Sequence, residues 1–178
     1  MVCDFKNCGT KSFYMHGLKS EIKNATLIRS YGKASRPMRK NNGQRQRDEN
    51  GFRLRAAGVC IRQFGRERQI LLVSSGKGDD LWVIPGGGIE KNEDERTAAL
   101  REVYEEAGIR AQIVSRVGEF RDEERKHRTV VFLLEVVEEL SEWEDGYFGR
   151  KRQWMSFEES MRKVKRSQSP IIQRVQSI

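Results

Sequence analysis

An α/β layered domain, with helices on both faces of a mixed sheet, is what the sequence predicts, and three observations predict it. Two apolar runs, residues 56–63 and 69–74, are separated by the polar connection Phe64-Gly65-Arg66-Glu67-Arg68, the pattern of two strands joined tightly. Residues 94–107 are good helix formers and stop at Gly108, where a left-handed C-cap is wanted. Strand patterns then return at residues 111–120 and 129–137, so strands and helices alternate and must pack in layers.

Each element has its own signal. Residues 1–30 carry scattered apolar positions without sustained period, and 32–51, GKASRPMRKNNGQRQRDENG, are polar, basic and rich in turn formers, the composition of a disordered arm. The expected division is a basic N-terminal extension at 1–50, a folded domain at 51–170 and a C-terminal tail at 171–178. Residues 81–84 form a short apolar run ended by Pro85, Gly86, Gly87 and Gly88, which reads as a buried strand entering a turn whose backbone is bare. The run TVVFLLEVV at 129–137 suits a central strand, and 152–155 a last short one. Ser156-Phe157-Glu158-Glu159 is a capping-box signature opening a helix that should turn Met161 and Val164 inward.

The 178 residues carry a net charge of +8, which suggests nucleic acid until it is divided along the chain. Residues 1–55 hold 13 Lys/Arg against 4 Asp/Glu, and the remainder holds 21 against 22. The excess belongs to the arm. Its basic tract at 36–47 is open to several readings: a soluble extension, a phosphate-steering tail, a nuclear address, a mitochondrial presequence, or an RNA contact. Three cysteines, Cys3, Cys8 and Cys60, form no metal knuckle and point to a reducing compartment, the cytoplasm with the nucleus as a second location. No apolar run is long enough for a membrane span or a secretory signal, so neither membrane attachment nor export is expected and Asn24-Ala25-Thr26 is an idle sequon.

The helix at 94–107 carries the chemistry. At roughly 100° per residue, Glu102, Glu105 and Glu106 share one face, and like charges so placed repel unless a cation lies between them. A solvated acidic face is one reading. The other is a hard divalent cation such as Mg²⁺, which prefers oxygen ligands and bridges one or two carboxylates to substrate phosphates.

Spacing favours the second. Gly87, five residues, Glu93, seven residues, then Arg101-Glu102-Val103-Tyr104-Glu105-Glu106-Ala107-Gly108-Ile109 match every defined position of the Nudix box, so the chain resembles the Nudix hydrolases. The resemblance implies an α/β/α sandwich with a catalytic helix after a glycine-rich loop, and hydrolysis of a diphosphate linked to another moiety. It implies Mg²⁺, with Mn²⁺ as a substitute, held by Glu102, Glu106 and the carbonyl of Gly86, and Glu105 as general base. Gly87, Glu93, Arg101 and Gly108 would be structural, with Arg101 either holding a box carboxylate or making an ordinary surface ion pair.

Outside the box the cations are clustered: Arg53 and Arg55, Lys77, Arg125-Lys126-His127-Arg128, and Arg150-Lys151-Arg152. Singly, each suits a solvated edge; together they suit a highly anionic ligand. RAAGVCIR, LLVSSGKGDDLWVIPGGG, EERKHRTVVFLLEVVEELSEWED and GRKRQW resemble the diphosphoinositol polyphosphate phosphohydrolases from about residue 51 to 170. By that resemblance, polyphosphate contacts fall on Arg53, Leu54, Arg55, Ser75, Gly76, Lys77, Arg125, Lys126, His127 and Arg150. Leu54 and Lys77 stand where lysine and arginine are expected, and Ser169 where a phosphate-binding lysine is, which alters affinity or substrate ranking.

The expected function is Mg²⁺-dependent removal of the β-phosphate from diphosphoinositol polyphosphates, with diadenosine polyphosphates as further substrates. The partner is a small-molecule polyphosphate and the protein a monomer. Two other readings are an mRNA-cap or other nucleoside-diphosphate-linked Nudix hydrolase, with RNA held by the arm, and a non-catalytic polyphosphate-binding protein.

Overall fold

Strand β1 (Arg53–Phe64) is hydrogen-bonded on both edges, and its small and branched middle, Ala56, Ala57, Val59 and Cys60, is completely buried. The computed structural model describes residues 46–76 and 81–178. Along one edge β1 runs parallel to β6 (His127–Glu139), which in turn pairs antiparallel with β5 (Ile109–Asp122). Along the other edge the first half of β1 pairs with β4 (Gly86–Gly88) and the second half with β2 (Glu67–Ser74), both antiparallel. Beyond β2 lie β3 (Trp82–Val83) and β7 (Arg152–Ser156). The parallel β1–β6 pair among antiparallel neighbours makes the expected mixed sheet.

The two-residue period of a strand sorts its side chains into two cores. Ala57 and Val59 of β1, Ile70 and Leu72 of β2 and Val131 of β6 face one side, where Phe157, Val164, Ile171, Ile172 and Val175 cover them. Ala56 and Cys60, Leu71 and Val73, and Val130, Phe132 and Leu134 face the other, under Ala98, Ala99, Val103 and Ala107 of α1 (Glu95–Ala107). Helices therefore lie on both faces. Gly58 marks the closest approach of α1 to the sheet, since a Cβ there would run into Val103 and Leu134.

After β6 comes a short helix, α2 (Glu144–Tyr147), that sequence reading missed. Helix α3 (Phe157–Lys163) begins as expected: Ser156 Oγ accepts from the Glu159 N–H at 3.0 Å, and Val164 is buried with Met161 packed against the same core. A 3₁₀ turn (Arg166–Gln168) leads into α4 (Ser169–Gln176).

Three expectations need correction. Gly86, Gly87 and Gly88 are not a turn but a strand, because with no Cβ they can lie against β1 at a distance where one on Gly86 would sit 2.6 Å from the Ala57 Cβ. Residues 171–178 are not a tail, because Ile171, Ile172 and Val175 complete the core on the α3 side. The folded part also begins before residue 51: the Leu54 N–H donates to the Gln46 carbonyl at 2.9 Å, and Asp48 Oδ1 accepts from the Phe52 N–H at 2.9 Å. The expected arm up to residue 45, with its sequon, Cys3, Cys8 and most of the basic tract, lies outside the described residues, as does Lys77. Among the described residues no helix is long and apolar enough to cross a membrane.

Truncation after Pro170 checks the new boundary. Removing three fully buried aliphatic side chains at about 1.5–3 kcal/mol each should abolish cooperative thermal unfolding at 37 °C. A truncated chain melting within a few degrees of the full chain would show that 171–178 is a tail after all.

Candidate active site

Helix α1 is fixed at both ends. Asp94 Oδ1 accepts from the Arg96 and Thr97 N–H groups at 2.8 and 2.9 Å, and Gly108 closes the helix at φ 63°. The last turn of α1 contains no base, although it carries two glutamates beside the negative end of the helix dipole. Cations reach it from elsewhere. Arg152 donates to the Ala107 carbonyl at 2.6 Å and lies 4.2 Å over the Trp143 ring, whose Nε1 donates to the Glu106 carbonyl at 3.0 Å. In the sequence Arg152 is one more member of a basic cluster; in the fold it holds the end of the acidic helix.

Arg101 gathers three of the box carboxylates. Its Nε and Nη2 form a fork on Glu93 at 2.7 and 2.9 Å, and its Nη1 reaches Glu102 at 2.8 Å and Glu105 at 3.2 Å. The Arg101 hydrogen bonds hold the Glu93 carboxyl below its ordinary range. Arg101 also donates to the Gly88 carbonyl at 3.1 Å, so one guanidinium ties helix to glycine strand.

Glu106 belongs to a different set. Its Oε2 accepts from the Gly86 N–H at 3.0 Å and lies 3.1 Å from Arg150 Nη2. Burial pushes its pKa up to about 7; Arg150 opposes the rise and the nearby Glu102 adds to it. Arg150 is placed by α2, its N–H donating to the Asp145 carbonyl at 3.0 Å and its Nη1 lying 3.7 Å from the buried Asp145 carboxylate.

The glycine strand separates acids from bases. Because its residues alternate between faces, a Cβ on Gly87 would fall on the Glu102 carboxylate, whereas one on Gly88 would come within 2.6 Å of Arg53 Nη2. Gly86 joins the two sides: its N–H goes to Glu106, and its carbonyl accepts from Arg55 Nη2 at 2.7 Å.

Arg53, Arg55 and His127 lie on the α3–α4 face, with Arg53 directly beside His127 in the parallel register. Burial, then the charges of Arg55 and Arg53, push the His127 pKa down to about 4, so its imidazole is neutral in the free protein. Arg125 stands at the β5–β6 connection, 3.3 Å from Asp122, and Lys126 is 3.1 Å from Glu123 and 4.6 Å over the Phe52 ring. Arg128 alternates away, to Glu119 at 2.9 Å and Asp48 at 3.3 Å. Leu54 packs against the α1-side core, and its carbonyl accepts from the Ile89 N–H at 3.2 Å. The Ser75 N–H donates to the Leu81 carbonyl at 2.7 Å, and among the described residues its Oγ is buried without a hydrogen-bond partner and nothing lies within 4 Å of where a Gly76 Cβ would be. The fold thus groups Arg53, Arg55, His127 and Arg125, sets Arg150 with the acids, and turns the Leu54 side chain away.

Among the described residues no three His, Cys, Asp or Glu side chains converge as a ready metal cage, since Arg101 engages Glu102 and Glu105 while Arg150 and Gly86 hold Glu106. Mg²⁺ does not need one. It binds through one or two carboxylates, waters and substrate phosphates. Glu102 and Glu106, 7% and 8% exposed on successive turns, with the second lone pair of the Gly86 carbonyl, are a donor set that fits such a half-open site.

Trp143 and Asp145 take part although sequence reasoning gave them no role, and Arg152, expected only as part of a basic cluster, holds the helix end. The runs SEWED and GRKRQW were visible, but nothing in them shows which cation faces a helix end.

Comparisons with known proteins bear on the family and the fold. The NUDIX domain family model matches residues 52–175. Human "Diphosphoinositol polyphosphate phosphohydrolase 2" is 44% identical over 133 residues, covering 74% of this chain and 73% of the relative. Mouse "Diphosphoinositol polyphosphate phosphohydrolase 3-alpha" is 46% identical over 134 residues, covering 74% and 80%. The crystal structure of C. elegans Ap4A hydrolase superposes with a TM-score of 0.54 at 18% identity, over 70% of this chain and 96% of that one, a likeness of fold.

Gly108→Ala tests the helix end. The left-handed backbone and a Cβ placed 2.6 Å from that of Trp143 should together cost about 2 kcal/mol or more in urea unfolding. An unchanged midpoint would mean that the cap is not needed.

Proposed function

The chain belongs to the NUDIX domain family and is a hydrolase, and from that premise we propose that it removes the β-phosphate from diphosphoinositol polyphosphates in a Mg²⁺-dependent reaction, with Mn²⁺ as a substitute. The observation that carries the reading is the glycine strand β4, bare on both faces, with Glu102 and Glu106 reached from one side and Arg53 and Arg55 from the other. A substrate with many phosphates and one scissile anhydride needs both: cations for the phosphates that stay, carboxylates for the centre that reacts. The names of the relatives at 44–46% identity support the same substrate class.

In this reading Glu102, Glu106 and the Gly86 carbonyl would hold the divalent ion, whose charge would offset that of the phosphate oxygens in an in-line displacement by water. Glu105 takes the proton from that water. It lies one residue from Glu106 on the same helix and is held by Arg101 at 3.2 Å, longer than the 2.8 Å contact to Glu102. Arg101 orients Glu93, Glu102 and Glu105 together, so Glu93 acts through Arg101. Arg53, Arg55, Arg125, Lys126 and His127 bind the phosphates on the inositol ring, and Ser75, Gly76 and Lys77 are further phosphate contacts. His127, neutral before binding, gains a proton when a phosphate settles beside it. Arg150, near Glu106, contacts the phosphate closest to the metal. Leu54 sets the backbone register between these cations.

The catalytic unit is residues 46–176, and the basic arm before it is an appendage. A reducing compartment, the cytoplasm with the nucleus as a second location, suits the buried Cys60, whose thiol burial pushes up to about 12.

Glu105→Gln should lower kcat by roughly 10²–10⁴-fold while leaving substrate binding intact, read from steady-state hydrolysis and calorimetric titration. Near wild-type turnover would rule out the assignment of the base. For Arg125→Ala the expected change is selective: a KM raised roughly tenfold for the inositol pyrophosphate and little altered for a small nucleoside diphosphate substrate. An equal effect on both would remove Arg125 from substrate selection.

A further inference from the structure

Lys165 follows α3 and enters the 3₁₀ turn, and two anchors hold this segment against β3 and the residues before the glycine strand. Its N–H donates to the Trp82 carbonyl at 2.9 Å beside the Trp82–Val164 bridge. Gln168 Oε1 accepts from the Ile84 N–H at 2.9 Å, two residues before the glycine strand. The half-buried Lys165 is thus placed by backbone bonds rather than by its own charge.

Charges of both signs lie around it. Arg55 and Arg125 both act on Lys165, and Lys165 acts with Arg55 and Arg53 on His127. Asp122 and Glu124 are the acids within reach, and Asp122 is already occupied: it accepts from the Arg125 N–H at 3.0 Å and the Arg125 guanidinium at 3.3 Å. Among the described residues Lys165 makes no ion pair. Burial, followed by the field of Arg125, draws its pKa below the ordinary lysine value, which is the cost of holding like charges together without a ligand. An ordinary surface lysine would turn toward solvent; this one is kept among arginines. Such an arrangement is stabilised by a multivalent anion placed at its centre.

We propose that Lys165 is a direct phosphate ligand in the substrate pocket, closing the ring of Arg53, Arg55, Arg125 and His127 from the α3–α4 side. The assignment rests on the substrate class proposed above. Sequence reading offers no hint of it, because Lys165 sits in a stretch, Arg162-Lys163-Val164-Lys165-Arg166, where four of five residues are basic. Arg162 and Lys163 are paired with Glu158 and Glu159 on α3, and Arg166 is exposed.

The test uses the full chain with inositol hexakisphosphate as a non-hydrolysed probe and a diphosphoinositol pentakisphosphate as substrate. Lys165→Met keeps the backbone anchors and the apolar stem, so its melting temperature should stay within a few degrees of wild type. Hexakisphosphate binding should weaken roughly tenfold, KM should rise in parallel, and kcat should stay within about twofold. Lys165→Arg should restore most of the affinity, and in Lys165→Met the dependence of binding on ionic strength should flatten, which a purely structural role for the side chain would not produce. If Lys165→Met is unstable, Lys165→Gln against Lys165→Arg gives the same comparison. Wild-type chain that binds and hydrolyses normally, with Lys165→Met or Lys165→Gln equal to it or lowered in kcat alone, overturns the assignment and leaves the substrate class standing. Wild-type chain that neither binds the hexakisphosphate nor cleaves the diphosphate overturns both.

Discussion

The hydrogen bonds of Gly86 are the constraint on which the site depends. Its N–H holds Glu106 and its carbonyl holds Arg55, so one residue of a three-residue strand joins an acidic helix to a basic edge. No residue with a side chain could take that place, since a Cβ would press into Ala57 and the Ala56 carbonyl 2.7 Å away. Pairing with Arg55, Ala56 and Ala57 fixes the strand against β1, and alternation then presents Gly87 to Glu102 and Gly88 to Arg53. Opposite charges are brought near one another without side chains in between.

Charges so crowded require compensation, and the fold supplies it in layers. Arg101 holds Glu93, Glu102 and Glu105; Arg150 stands beside Glu106 with Asp145 behind it; Arg152 and Trp143 take the carbonyls at the end of α1. Removing one member of such a buried group leaves the others uncompensated, which is costlier than the pair is worth when intact. Glu106, pushed up to about 7 mainly by burial, retains strain in the free protein that a further cation would relieve. The basic side mirrors this: His127 is pushed down to about 4 by burial and the two arginines, and an anion would relieve it. On the proposed function, a divalent metal with a polyphosphate would satisfy the acid and base sides together.

Much of this was legible in the chain. Box spacing located Glu93, Arg101, Glu102, Glu105, Glu106 and Gly108, because a helix converts spacing into direction by a fixed angle. Ser156 and Gly108 marked helix ends because capping is local. Local chemistry did less well where partners are distant in sequence. Gly86, Gly87 and Gly88 read as a turn because nothing nearby shows that β1 will pair with them, and Ile171, Ile172 and Val175 read as a tail because an eight-residue helix announces itself only by what it covers.

The sequence by itself determined the family, the layered fold and the acids of α1, because these rest on spacing within single elements. Only the tertiary structure decided which cations serve which purpose. Arg53, Arg128, Arg150, Arg152 and Lys165 are alike in composition, yet one faces the pocket, one is tied to Glu119, one meets Glu106, one caps a helix and one is held among arginines. A charge acts on whatever lies within a few ångströms through space, and neighbours in space are chosen by strand pairing and helix packing across tens of residues.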